Sequence, residues 1–202
     1  MENQYETATQ FLNDIDEDWA NLIATVGSCT LTSNELEPYQ ALVEAVAGQQ
    51  LNVKAADSVV RKLIAQFGMF PTPTQLLATS FEDLRRCGLS GRKIEAIKGI
   101  ASASFSGVVP SLANAQAMTD EELIKQLVSL KGIGCWTVEI FLIFTLGRMD
   151  ILPIDDFGIV HGYKRLKRLS TAPKRKEMAQ IALNFKPHRT VASWYLWRVP
   201  KA

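Results

Sequence analysis

The sequence predicts an all-α protein, and three observations carry that reading. Apolar residues recur at three-and-four spacing, helix starts and stops punctuate most of the chain, and few stretches alternate with period two. In order along the chain, Leu42, Val43, Val46 and Ala47 form one apolar stripe. Val59, Val60, Leu63, Ile64 and Phe67 form the next, stopped by Gly68. "PTPTQ" (71–75) reads as a loop, with a short helix starting over Gln75 to Ala78. Ser80 can cap a helix ending at "CGLSG", where Gly88 and Gly91 bracket a turn into "RKIEAIKGIASA". Thr119-x-x-Glu122 is a capping-box pattern opening "DEELIKQLVSL". The turn Gly132-Ile133-Gly134 then leads into a very apolar helix from about Cys135 to Leu146. Another helix should begin near Asp156, and the last covers roughly Ala192 to Trp197.

At 202 residues the chain can bury a core as one domain or as two small lobes. With 47% hydrophobic and 21% charged residues it has the composition of a globular protein, not a disordered or fibrous one. "MENQYETATQ" lacks the basic start and apolar run of a signal peptide, and Ile140 to Leu146 is too short to cross a bilayer. Cys29, Cys87 and Cys135 are odd in number and widely spaced. They predict a reduced, intracellular protein without a disulfide frame, in which each cysteine is a small buried hydrophobe.

The net charge of +1 alone points to no polyanion, but its distribution is uneven. No lysine or arginine precedes Lys54, while Glu2, Glu6, Asp14, Asp16, Glu17, Asp18, Glu35, Glu37 and Glu44 are acidic. After His161, eleven basic residues from Lys164 to Lys201 face only Glu177. Such asymmetry suits a face built for a polyanion, or else a solvated helical surface.

The segment "LVSLKGIGCWTVEIFLIF" (127–144) is the most informative. Two helices joined by Gly132-Ile133-Gly134 set consecutive backbone N–H groups at the start of the second helix, where they and the helix dipole suit a phosphate oxygen. Thr137 joins the three turn residues as a phosphate-binding candidate. With "LVEAVAGQQLNVKAADSVVRKL" (42–63), "LRRCGLSGRKIEAIKGIA" (84–101), "LPIDDFGIVHGYKRL" (152–166) and "KPHRTVASWYLWR" (186–198), the motifs fall in the order of a known family. The chain resembles the helix-hairpin-helix DNA glycosylases, most closely the 3-methyladenine DNA glycosylase II branch. The resemblance covers most of the chain and implies two helical lobes with an active-site cleft between them. Lobe A is expected over about 1–40 plus 160–202, and lobe B over about 41–159.

In that family a catalytic aspartate opens the helix that follows the hairpin, and in "PIDDFG" the resemblance places it at Asp156. The residue type fits the chemistry. Cleaving an N-glycosidic bond builds positive charge on the deoxyribose, which a nearby carboxylate stabilises, and the same group can orient or deprotonate water. Any aspartate there can also simply cap the helix. The resemblance leaves Asp155 as the cap or a structural partner.

Family members that also cut the strand carry a Schiff-base lysine two residues after the second hairpin glycine, where this chain has Trp136. A monofunctional glycosylase is therefore expected, with Trp136 a stacking face for a flipped alkylated base. The resemblance further implies a wedge on the loop in "AGQQLN", with Gln50 first and Gln49 and Asn52 beside it. Gly88 to Gly91, with Arg92 and Lys93, make a second candidate backbone-contacting turn. His161 is left out of catalysis, Trp194 and Trp197 read as core, and His188 departs from the aromatic expected before Arg189. The partner implied is duplex DNA bearing 3-methyladenine or 7-methylguanine, bound by a monomer. No catalytic metal is expected; at most a monovalent cation sits on hairpin carbonyls around Leu130 and Ile133. The rival readings are a non-catalytic helix-hairpin-helix DNA-binding module and a bifunctional lyase using Lys131.

Overall fold

The computed structural model describes residues 2–34 and 36–200; Glu35 and Lys201, counted in the charge asymmetry, lie outside the described residues. Among the described residues there are thirteen helices and no strand. They form two compact units, Asn34–Leu146 and the discontinuous Met1–Ser33 with Gly147–Ala202.

The central unit holds α3 (Pro38–Gly48), α4 (Val53–Phe67), α5 (Pro73–Ala78), α6 (Phe81–Arg86), α7 (Gly91–Phe105), α8 (Leu112–Ala117), α9 (Asp120–Leu127) and α10 (Cys135–Phe144). Short polar side chains start most of them. Asn52, Ser80, Ser90 and Ser111 cap α4, α6, α7 and α8, and Thr72 with Gln75 and Thr119 with Glu122 form complete capping boxes on α5 and α9. α3 packs on α4, α7 and α10. Leu42, Val43, Val46, Ile97, Ile100, Val138 and Leu142 are fully buried in this core. α10 ends two residues before the expected Leu146 because the Thr145 and Leu146 N–H groups both bond to the Phe141 carbonyl, closing the helix ahead of Gly147. The Asn34 N–H donates to the Phe144 carbonyl at 2.8 Å, which ties the two ends of this unit together.

The discontinuous unit comprises α1 (Glu2–Asn13), α2 (Glu17–Val26), α11 (Phe157–Leu166), α12 (Arg175–Leu183) and α13 (Arg189–Leu196). α13 is its centre. All residues from Thr190 to Leu196 are buried, and the helix packs on α1, α2 and α11. It starts three residues before the expected Ala192: Thr190 is buried in its first turn, and its hydroxyl donates to the Arg148 carbonyl instead of marking a surface loop. Trp19 of α2 is fully buried edge-on to Phe185 at 5.2 Å between centroids. The lobe boundaries thus fall at 33/34 and 146/147. They differ from the expected 40/41 and 159/160 because the segment after α10 is bonded to α13, which carries Asp156 into the discontinuous unit.

The basic C-terminal half is partly neutralised inside this unit. Lys167 donates to Asp16 at 2.6 Å and Asp18 at 3.0 Å, Arg175 pairs with Asp155, and Arg189 pairs with Asp150. Burial alone would raise the Asp16 and Asp150 carboxyls, but hydrogen bonds from Lys167 and Arg189 outweigh it and hold both below the ordinary 3.8. On acidification the unfolded chain therefore binds these protons first. The stabilisation is full above 3.8 and is lost as pH falls through the lowered folded values. The thermal midpoint should be flat down to about pH 4 and fall below it, with a shallower fall in Lys167→Met. An identical acid fall in wild type and variant, followed by circular dichroism, would contradict the assignment.

Candidate active site

The approach to Asp156 is built on α13. Ile151, Leu152 and Pro153 are buried, a consequence of their apolar run. Ahead of them the Asp150 carboxylate takes both Arg189 Nε (2.7 Å) and Nη2 (2.9 Å), a fork that fixes the segment in two directions. The Thr190 hydroxyl donates to the Arg148 carbonyl at 2.7 Å and accepts the Ile151 N–H at 3.0 Å. Ser193 Oγ reaches the Ile151 carbonyl at 3.1 Å. The Asp156 N–H then turns back onto the Pro153 carbonyl, and α11 begins.

Asp156 is the N-cap of α11. Its Oδ1 accepts the Ile159 N–H at 2.9 Å and the Trp197 Nε1–H, also at 2.9 Å. Two donors on one oxygen, one from its own helix and one from the residue that ends α13, hold the carboxyl group in place. The cap is therefore Asp156, and Asp155 takes the second of the two roles left to it. Asp155 is the structural partner instead, accepting Arg175 Nε at 3.0 Å on both oxygens in an exposed pair. Both of the Asp156 bonds fall on Oδ1, so capping the helix and holding the indole use the same oxygen.

Trp197 was expected in the core with Trp194. Only Trp194 is buried there, with Arg198 stacked over its ring at 3.7 Å. Trp197 is half-exposed and bonded to Asp156. Two glycines one turn apart on α11 make that contact possible. A Cβ at Gly158 would lie 2.8 Å from Trp197 Cδ1 and 3.0 Å from Asp156 Oδ1, and one at Gly162 would collide with the Leu196 carbonyl. A tryptophan in an apolar run gave no sign of this role; the Gly-x-x-x-Gly spacing after the aspartates was the available signal. His161 stacks against Phe157 at 4.0 Å between centroids, and Phe157, the first residue of α11, is 76% exposed.

The hairpin and wedge candidates all belong to the central unit. Gly132 has φ +89, and a Cβ there would approach Ala96 Cβ to 2.7 Å, so the turn needs glycine for conformation and for its seat on α7. Ile133 is buried beneath it, its N–H donating to the Leu130 carbonyl. Gly134 caps α10 with no side-chain bond, and its carbonyl accepts the Thr137 and Val138 N–H groups. Thr137 departs from expectation. It is 2% exposed, and its Oγ1 accepts Gln49 Nε2 at 3.1 Å, so the hydroxyl serves the interior and not a phosphate.

Gln49 likewise does not project as a wedge, since the same Nε2 also donates to the Gly132 carbonyl at 3.2 Å. Asn52 is occupied as the cap of α4, accepting the Ala55 N–H. Gln50 is exposed, with φ +58, a left-handed conformation uncommon for a residue with a side chain. Trp136 stands on the first turn of α10, 37% exposed. At the second turn Gly88 has φ +95, Gly91 sits at the start of α7 and Arg92 is exposed, but Lys93 turns inward to the Ala47 carbonyl at 2.8 Å. Of the cysteines only Cys87 is buried; Cys29 is intermediate and Cys135, on the hairpin side of α10, is exposed. Among the described residues no group of three or more His, Cys, Asp or Glu side chains could hold a metal ion.

Residues 43–188 match the HhH-GPD superfamily of base excision DNA repair proteins. The chain belongs to that superfamily. It is 42% identical over 194 residues to DNA-3-methyladenine glycosylase 1 of Schizosaccharomyces pombe, covering 94% of this chain and 85% of that protein. It is also 38% identical to the alkylbase DNA glycosidase-like protein mag2 of the same yeast, over 99% of this chain and 96% of that one. Among solved structures, the S. pombe 3-methyladenine DNA glycosylase Mag1 in complex with abasic DNA superposes with a TM-score of 0.89 over 95% of each chain. Trp197→Phe keeps a ring but removes the donor to Asp156. For a superfamily excision reaction it should lower the single-turnover rate on the order of tenfold, the size of one hydrogen bond to a charged acceptor, with DNA affinity unchanged. An unaltered rate would remove Trp197 from the positioning of Asp156.

Proposed function

We infer that this chain is a monofunctional DNA glycosylase that hydrolyses the N-glycosidic bond of alkylated purines, 3-methyladenine and 7-methylguanine, in duplex DNA during base excision repair. The observation that carries the reading is Asp156, held by Ile159 and Trp197 at the start of α11. A fixed carboxylate is what an oxocarbenium-like transition state requires, because its negative charge is in place before positive charge develops on the sugar. The same group orients or deprotonates the attacking water. The resemblance of the whole chain to enzymes named for 3-methyladenine supports the substrate class.

The central unit supplies the DNA-reading parts. The N–H groups of Gly132 and Gly134 meet a phosphate, the Ile133 N–H between them being bonded to the Leu130 carbonyl; Gln50 fills the space left by the flipped base, and Trp136 offers an electron-rich face to a cationic purine. A positively charged lesion has a weakened glycosidic bond, so little beyond stacking and the Asp156 carboxylate is needed. Carbonyl oxygens suit a hard monovalent cation at the hairpin. The Leu130 carbonyl, which accepts the Ile133 N–H, and the Ile133 carbonyl would hold it, supplying charge beside the phosphate. The chain works as a monomer inside the cell, where its DNA substrate is. No helix of the described residues is long and apolar enough to cross a membrane.

Lyase chemistry is not expected. Trp136 occupies the position of a Schiff-base lysine, and the Lys131 ammonium is paired with Glu95 at 2.7 Å. Incubated with methylated duplex DNA, the protein should release 3-methyladenine and 7-methylguanine as free bases and leave intact abasic strands. Borohydride should trap no covalent complex. Absence of free base would leave a DNA-binding module; a trapped complex would establish a lyase.

A further inference from the structure

The loop between α3 and α4 is only four residues, Gln49 to Asn52, yet it is anchored on three sides within the central unit. At its start, Lys93 of α7 donates to the Ala47 carbonyl at 2.8 Å and closes the end of α3. At its end, Asn52 caps α4. Between them Gln49 Nε2 bridges the Gly132 carbonyl (3.2 Å) and Thr137 Oγ1 (3.1 Å), one on the hairpin turn and one in the first turns of α10. Thr137 is 2% exposed, so that end of the bridge is sheltered from water, where a hydrogen bond holds its geometry well. The neighbouring Gln50 is exposed and left-handed, at φ +58. A non-glycine residue keeps that conformation only when its surroundings fix it.

We propose that Gln49 is a positioning residue that locks the Gln50 wedge to the phosphate-binding hairpin, so that seating the hairpin on the DNA backbone also sets where the wedge enters the duplex. The inference rests on the reading of Gln50 as the wedge. One amide makes the link with both of its N–H groups, and the hairpin side consists of a carbonyl and a hydroxyl oxygen that accept them. The wedge and the phosphate clamp therefore move as one body. Without the amide, the hairpin still grips phosphate, but the Gln50 backbone is released to other conformations and insertion loses its register.

The test is a double-mutant cycle on a duplex carrying one 7-methylguanine, with 2-aminopurine beside the lesion to report flipping. Gln49→Met keeps the length of the side chain and removes its donors; Thr137→Val removes one acceptor without touching the loop. Each should keep the thermal midpoint and the affinity for undamaged duplex, while lowering the flipping signal and the excision rate on the order of tenfold. In a Gln50→Ala background the same changes should cost nothing further, because the residue they position is gone. Full additivity, or no effect of Gln49→Met where Gln50→Ala has one, overturns the link. No effect of Gln50→Ala at all overturns the wedge reading itself, and the link with it.

Discussion

The discontinuous unit is organised around α13 as a template for the aspartate-bearing segment. Arg189, Thr190 and Ser193 hold residues 148 to 151 through side chains buried or half-buried at the helix start, and Trp197, at the helix end, holds Asp156 itself. One helix therefore fixes both the path that leads to the carboxylate and the carboxylate's own orientation. Glycines 158 and 162 let α11 lie close enough for this. Remove the closeness, and the indole cannot reach Oδ1. A preorganised charge is worth more to a cationic transition state than a mobile one, since no reorganisation is left for the chemical step.

The phosphate and base contacts proposed for the central unit rest on the same logic. Gly132 is pressed onto Ala96, Ile133 is buried, and Gln49 spans from the wedge loop to the turn. The proposed sites in both units consist of backbone groups and short polar contacts fixed on a tightly packed helical frame. The net charge of +1 makes sense in this light. Several cations of the basic half neutralise carboxylates inside their own unit, so specific contacts, and not a broad positive field, have to bring DNA to the protein.

Much of the architecture was legible because it rests on local rules. The stripe from Leu42 to Ala47, the Gly68 stop, the Ser80 cap and the Thr119–Glu122 box each appear where propensity and capping place them. Residues whose roles depend on partners far along the chain were not legible. Gln49 and Thr137 looked like surface groups until they met each other, 88 positions apart. Trp197 looked like core because an indole in an apolar run gives no sign of where its N–H points. The lobe boundary was set too late because hydrophobic pattern marks helices but not which helix a connecting segment bonds to. The early start of α13 was not legible because the partner of the Thr190 hydroxyl, the Arg148 carbonyl, lies 42 positions away.

The proposed mechanism requires Asp156, and not its neighbour, as the reacting carboxylate. Single-turnover release of 7-methylguanine by Asp156→Asn beside Asp155→Asn tests this, with thermal midpoint and DNA affinity measured on the same preparations. Asparagine still caps a helix, so Asp156→Asn should fold and bind DNA while base release falls by on the order of a hundredfold or more. Asp155→Asn should lose only its exposed pair with Arg175 and release base at nearly the wild-type rate. Retained activity in Asp156→Asn, or a collapse confined to Asp155→Asn, would contradict the account.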